Sequence, residues 1–213
     1  MGLEKKGLIF GKGRLESLTD GVFAIIMTIL VFNISVPELI LFTEGDLASE
    51  RLSAKFADLW PDFLAYVISF STLGAFWVAH HRIFRWIICV NRPLIWINIS
   101  FLMVIGLVPF STTILTQYLH SQHSIFVFSF NAILAGLLIY AIYYYVKRNI
   151  ELVDKSVQAL IEKSSSRRVL ATVLTYSVSI IFSFIYLPVS MFLLLLVLVP
   201  EIIPDRYFGR KST

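Results

Sequence analysis

An all-α membrane protein with about six spanning helices is the fold class this sequence predicts, and three observations lead there. Of 213 residues, 57% are hydrophobic and only 15% are charged, against about 25% charged residues in a soluble domain; the mean hydropathy is +0.79. The apolar residues gather into runs of about 20, the length that crosses the hydrocarbon core of a bilayer. The Lys and Arg residues lie at the ends of those runs, so membrane topology accounts for the net charge of +4, and no nucleic-acid partner is expected. The 18 Phe, 9 Tyr and 4 Trp suit a helix bundle whose faces meet lipid and whose ends lie at the interface. Residues 1–213 read as a single transmembrane domain.

The predicted spans are 15–36, 61–84, 94–118, 124–146, 169–187 and 189–203. The first follows a charged N-terminal segment without a small-residue cleavage site, so no removable signal peptide is expected. Ahead of the second, Leu52, Phe56, Leu59 and Trp60 fall at helical spacing with Arg51, Lys55 and Asp58 between them. That pattern fits a short interfacial helix or a soluble linker helix. The third run contains Pro109 followed by Ser111, Thr112 and Thr113, whose hydroxyls can satisfy carbonyls freed by a proline kink. The fifth and sixth run together except at Pro188. About 35 residues is too long for one span, so a tight hairpin is predicted there.

Charge sets the orientation. With the N-terminus cytoplasmic, all but two of the 18 Lys and Arg residues lie inside; only Arg51 and Lys55 lie outside, among Glu38, Glu44, Asp46, Glu50, Asp58 and Asp62. The positive-inside rule selects this arrangement. An even number of spans also keeps Arg206, Arg210 and Lys211 inside, so both termini are predicted cytoplasmic.

Chemistry-bearing motifs are few. The lone cysteine, Cys89, excludes disulfide frameworks and four-thiolate sites. No Gly-rich phosphate loop, Thr-Val-Gly-Tyr-Gly filter or His-Glu-x-x-His motif occurs. No cofactor or metal is expected. The informative stretch is residues 14–34, where Asp20 lies about 9 Å deeper along the helix than Arg14. An intramembrane carboxylate needs a partner; the alternative is that Asp20 is interfacial and solvates the helix start. The second span ends Phe-Trp77-Val-Ala-His80-His81-Arg82, and Asn98 lies about 6 Å into the third span from the same face. Asp20, Trp77, His80 and Asn98 thus share one depth on three helices, as a hydrogen-bonded clamp requires. A His and an Asp can also relay protons or bind metal, although adjacent His80 and His81 point in divergent directions on a helix. Ile25, Ile29 and Phe32 form a narrow stripe with Thr28 at its edge. Stripes of this kind are usually core or lipid-facing, and a pore lining is the third reading.

The stretch from Arg14 through Thr19-Asp20 to Thr28 resembles the first-helix signature of the transmembrane protein 175 family, Arg-x-x-x-Phe-Ser-Asp, and the match extends to Trp77-x-x-His80-x-Arg82 in the second span and Asn98 in the third. Leu18 and Thr19 stand where that signature has Phe and Ser. The motifs cover the first half of the chain, and the second half matches in hydropathy. The resemblance implies a potassium-permeable cation channel of the prokaryotic plasma membrane, a homotetramer whose partners are K⁺, other monovalent cations and lipid, with the first helix lining a central pore. It implies that Ile25, Ile29 and Phe32 form stacked apolar constrictions and that Thr28 supplies a hydroxyl ring. It also implies that Arg14, Thr19 and Asp20 bind Trp77, His80 and Asn98 at the cytoplasmic end. A ring of isoleucines gates by dewetting and passes K⁺, which sheds its water more readily than Na⁺, with weak preference. The alternative is a proton-coupled transporter or proton leak using Asp20 and His80 as relay groups. An enzyme would have only His80, His81 and Asp20 to work with, and none is expected.

Overall fold

A computed structural model of the chain describes residues 8–34, 59–118, 121–154, 156 and 167–196. Within them, a first strand, β1 (Leu8–Phe10), leads into α1 (Lys12–Ile29), which tightens into a 3₁₀ turn over Leu30–Asn33. Then follow α2 (Trp60–Phe84), β2 (Val90–Asn91), α3 (Arg92–Ile105), α4 (Val108–Gln117) and α5 (Gln122–Arg148). A 3₁₀ turn at Ile150–Leu152, α6 (Arg167–Ser183) and α7 (Leu187–Leu195) complete the described chain. Among the described residues, four segments are long and apolar enough to cross a membrane: Lys12–Asn33, Trp60–Phe84, Arg92–Gln117 and Gln122–Arg148. The expected helix around Leu52–Trp60 falls outside the described residues except for Leu59 and Trp60, the latter opening α2. So do Lys5, Lys6, Arg51, Lys55, most of the outer carboxylates, residues 197–203 of the last run, and Arg206, Arg210 and Lys211.

The helix ends have local causes. Pro61 in the first turn of α2 lacks the N–H that would be unpaired there, while Asp62 at that end and His81 and Arg82 at the other complement the helix dipole. The Asn91 side chain caps α3 by accepting from Leu94 N at 3.2 Å. The 94–118 run is interrupted at Gly106 and Leu107, because the Pro109 ring crowds the carbonyl of Ile105 and offers it no hydrogen. The nearby hydroxyls do not turn to that carbonyl. Ser111 and Thr112 donate to Val108 O at 3.0 and 2.8 Å, and Thr112 Oγ1 also lies 2.7 Å from Ser69 Oγ on α2. At the other proline, α6 ends at Ser183 and α7 starts at Leu187, and the Ser179 hydroxyl donates to Ser190 O at 2.6 Å between the two.

The core lies around α2, whose buried residues from Leu64 to Phe84 occur on most of its circumference. It packs against α1, α4, α5 and α7, while α5 also lies against α3 and α6. At Gly136 an added Cβ would stand 2.9 Å from Val173 Cγ2, so α5 and α6 approach too closely for a side chain at that point. Deeper polar bonds cross the bundle: Tyr176 Oη donates to Thr72 Oγ1 at 2.9 Å and Asn131 Nδ2 to Ser111 Oγ at 3.2 Å. Such bonds link helices where the hydrophobic effect between apolar faces is absent.

One arrangement was not expected from the sequence. β1 pairs antiparallel with β2, Leu8 opposite Asn91 and Phe10 opposite Val90. The same connection receives the chain after α5, with Ile88 N donating to Leu152 O at 2.9 Å and Asp154 N to Trp86 O at 3.2 Å. Three loop segments thereby meet at one end of the bundle and satisfy each other's backbone groups.

Candidate functional site

On α1 and the 3₁₀ turn that ends it, Leu15, Thr19, Phe23, Ile26 and Leu30 are buried, the spacing of a single helical face. Leu18, Ile25, Ile29 and Phe32 lie on the other side, at 49%, 60%, 42% and 83% exposure, and Thr28 is exposed with them. The stripe of Ile25, Ile29 and Phe32 therefore belongs to the uncovered face of the chain, not to its own core. The Thr28 hydroxyl donates to Ile25 O at 2.8 Å. Its hydrogen is thus turned to its own backbone, and the oxygen lone pairs are what remain for a neighbour.

The buried face is tied down near both ends. Near the start, His80 Nε2 lies 2.8 Å from Asn98 Oδ1, and Asn98 Nδ2 donates to Thr19 Oγ1 at 3.1 Å. Thr19 in turn donates to Leu15 O at 2.9 Å. Because the Asn98 oxygen only accepts, the ring nitrogen facing it carries the proton. The chain His80 → Asn98 → Thr19 → Leu15 then runs in one direction. His80 is 3% exposed, stacked on Phe84 at 4.0 Å and on Phe101 at 5.9 Å between ring centroids. The ring is held by packing on its faces and by Asn98 at its edge.

Asp20 and Trp77 form a separate contact at the surface of the same level. The indole Nε1–H donates to Asp20 Oδ1 at 2.9 Å, and the Trp77 ring stacks on His81 at 5.5 Å. Of the six predicted polar residues, five are brought together in these two groups on α1, α2 and α3. Arg14 is not among them: it is exposed, and the ion pair of that turn is between Lys12 and Glu16 at 3.4 Å. Among the described residues no three His, Cys, Asp or Glu side chains are placed to hold a metal ion.

The second anchor was missed from the sequence. Thr113 on α4 donates to Asn33 Oδ1 at 2.7 Å, and Asn33 Nδ2 reaches Pro109 O at 3.4 Å. Thr19 and Asn33 are 14 residues apart, close to four helical turns or about 21 Å, so both fall on the stripe that also carries Leu15, Phe23, Ile26 and Leu30. A polar residue on an otherwise apolar buried stripe was the available signal. The break before Pro109 completes the geometry, since it sets the proline carbonyl beside the end of α1.

The chain is similar to known proteins over a stretch that includes most of these residues. The sequence model of one family, described as endosomal/lysosomal potassium channel TMEM175, matches residues 14–109, a span that holds every residue of both anchors except Thr113. A protein named as a potassium channel from Streptomyces collinus is 32% identical over 183 residues, covering 84% of this chain and 85% of its own; the likeness thus extends past the first half. A chicken protein named as an endosomal/lysosomal proton channel, TMEM175, is 30% identical over 116 residues, 53% of this chain and 23% of its own length. Among solved structures, that of a lysosomal potassium-selective channel TMEM175 homolog from Chamaesiphon minutus superposes with a TM-score of 0.71 at 26% identity, over 88% of this chain and 94% of that one.

Proposed function

The chain belongs to the TMEM175 family, a family of channels and not of enzymes, and on that premise we propose that it is a potassium-permeable cation channel with weak preference for K⁺ over Na⁺. It works as a homotetramer of six-span subunits with cytoplasmic termini in a prokaryotic plasma membrane. Four copies of α1 surround the axis. The observation that carries this reading is the division of α1 and its terminal turn into two faces: one is bonded near both ends into its own subunit, and the other leaves Ile25, Thr28, Ile29 and Phe32 exposed among the described residues.

In this assembly Ile25 and Ile29 form successive apolar rings. A ring narrow enough to exclude continuous water blocks ions, and a small tilt of four helices widens it enough to wet and conduct. The Thr28 lone pairs beside these rings offer an oxygen to a partly dehydrated cation, which suits K⁺ better than the more strongly hydrated Na⁺. Thr19, Asp20, Trp77, His80 and Asn98 hold the cytoplasmic ends of three helices together so that tilt is transmitted without loosening the bundle, and Arg14 is assigned to that group by resemblance alone. The test is cation flux from liposomes with Ile25→Asn, a polar group that wets the ring. Flux should rise and K⁺ preference fall; an unchanged flux would remove Ile25 from the pathway. Reversal potential in a planar bilayer under opposed K⁺ and Na⁺ gradients reports the selectivity.

A second reading, proton permeation, draws on the name of the vertebrate relative. A relay from Asp20 to His80 has little support from geometry: Asp20 accepts from an indole N–H, which passes no proton onward, and His80 is closed in by Phe84 and Phe101. Protons crossing this protein would use the wetted axis. Proton current that survives Asp20→Asn and His80→Gln but responds to Ile25→Asn would fit that route.

A further inference from the structure

The largest exposed apolar side chain continuing the free face of α1 is Phe32, at 83%, on the turn that ends the helix. Leu30–Asn33 is a 3₁₀ turn, tighter than the helix before it, and the residue next to Phe32 is fastened to α4 through Thr113 Oγ1 and Pro109 O. An aliphatic residue would serve as well as a ring for an apolar constriction. A benzene ring adds an electron-rich face, which attracts cations too weakly hydrated to prefer water, quaternary ammonium ions above all. In sequence, the segment after Phe32 carries Glu38, Glu44, Asp46, Glu50, Asp58 and Asp62 against Arg51 and Lys55, and an acidic balance of this kind attracts cations.

We propose that Phe32 and its symmetry copies form an aromatic cuff at the end of the pore remote from the N-terminus, and that this cuff binds quaternary ammonium ions. The proposal rests on the channel reading above, because the site is complete only when several copies of α1 meet. A tetraalkylammonium ion is too wide to follow K⁺ through the isoleucine rings. Seated among the rings, it stops the current from that side alone. Asn33 is a positioning residue here: its two bonds fix the turn and hence the direction in which the ring points.

The experiment is single-channel recording in a planar bilayer with tetraethylammonium added to each chamber in turn. Wild-type protein should be blocked from one chamber only. In Phe32→Leu the half-blocking concentration should rise about tenfold, which several rings at a fraction of a kcal/mol each would supply, and Phe32→Tyr should restore block because its ring keeps the same face. Asn33→Ala should weaken block and broaden the distribution of blocked times. Equal block of wild type and Phe32→Leu, block from both chambers alike, or no block of a conducting wild type would each overturn the cuff. Loss of the channel reading is a different result: a protein that carries no ionic current, or whose current ignores Ile25→Asn, refutes the pore and the cuff with it.

Discussion

Replacing Asn98 with Leu tests whether the buried bonds among α1, α2 and α3 are energetic contacts. Asn98 is fully buried, and its two side-chain polar atoms are both engaged, Oδ1 with His80 and Nδ2 with Thr19. Leu keeps the branched shape of Asn and is the larger side chain, so no cavity opens, and the double variant with His80→Phe separates the lost polar bond from any crowding. The Thr19 hydroxyl loses only an incoming hydrogen and keeps its own donation to Leu15 O. The His80 Nε2–H loses its acceptor in a place water does not reach. An unpaired buried donor costs about 1–3 kcal/mol, but interhelical polar bonds measured within membranes average only about 0.6, with a maximum of about 1.7 kcal/mol. The lower range governs here, because the separated helices also find partners in the bilayer. Two such bonds are lost, so a decrease of about 1 kcal/mol is expected. Since His80 is stacked between Phe84 and Phe101, His80→Phe keeps the packing and removes the donor, and the double variant should recover most of the loss. Unfolding by sodium dodecyl sulfate titration in mixed micelles measures all three variants and the wild type. If the two single effects simply add, within about 0.3 kcal/mol, the His80–Asn98 bond contributes nothing and the clamp is only packing.

Two further outcomes follow from contacts elsewhere. Gly136→Ala places a methyl 2.9 Å from Val173 Cγ2, and because valine is stiff at χ1 the helices must separate, costing about 1–3 kcal/mol; Val173→Ala in the same chain should restore the thermal midpoint. Burial, and then the Glu151 carboxylate, push the Cys89 thiol above its ordinary pKa, so thiolate is scarce and maleimide labelling in detergent near pH 8 should be slower than for a free cysteine peptide. Glu151→Gln removes the repulsion and should speed labelling; an unchanged rate would mean that burial alone sets it.

The helices of the described chain were legible because a bilayer imposes a length and a polarity on anything that crosses it, and both are local properties of the sequence. The 61–84 and 124–146 runs differ from the observed Trp60–Phe84 and Gln122–Arg148 by at most two residues at either end. Where the first run was expected to continue to residue 36, the helix tightens after Ile29, because Asn33 is drawn to a carbonyl and a hydroxyl on α4 that no local pattern announces. The pairing of β1 with β2 was hidden for the same reason: three residues before α1 and two before α3 have no periodicity to detect, and their partners are 80 residues away.

For the site, depth was readable and connection was not. Counting along each span put Asp20, Trp77, His80 and Asn98 at one level, since the helical rise is constant. Which of them meet depends on how each helix is rotated about its axis, and that is decided by packing. With Phe23, Ile26 and Leu30 of α1 turned inward, Thr19 rather than Asp20 faces Asn98, Asp20 is left to the Trp77 indole at the surface, and Ile25, Ile29 and Phe32 are turned out. The sequence by itself determined a membrane-spanning helical chain and the levels of its polar groups, because solvent sorts residues one helix at a time. The tertiary structure alone decided the bonds between those groups and the face of α1 left uncovered, because rotation about a helix axis is settled only when several helices fill the same space.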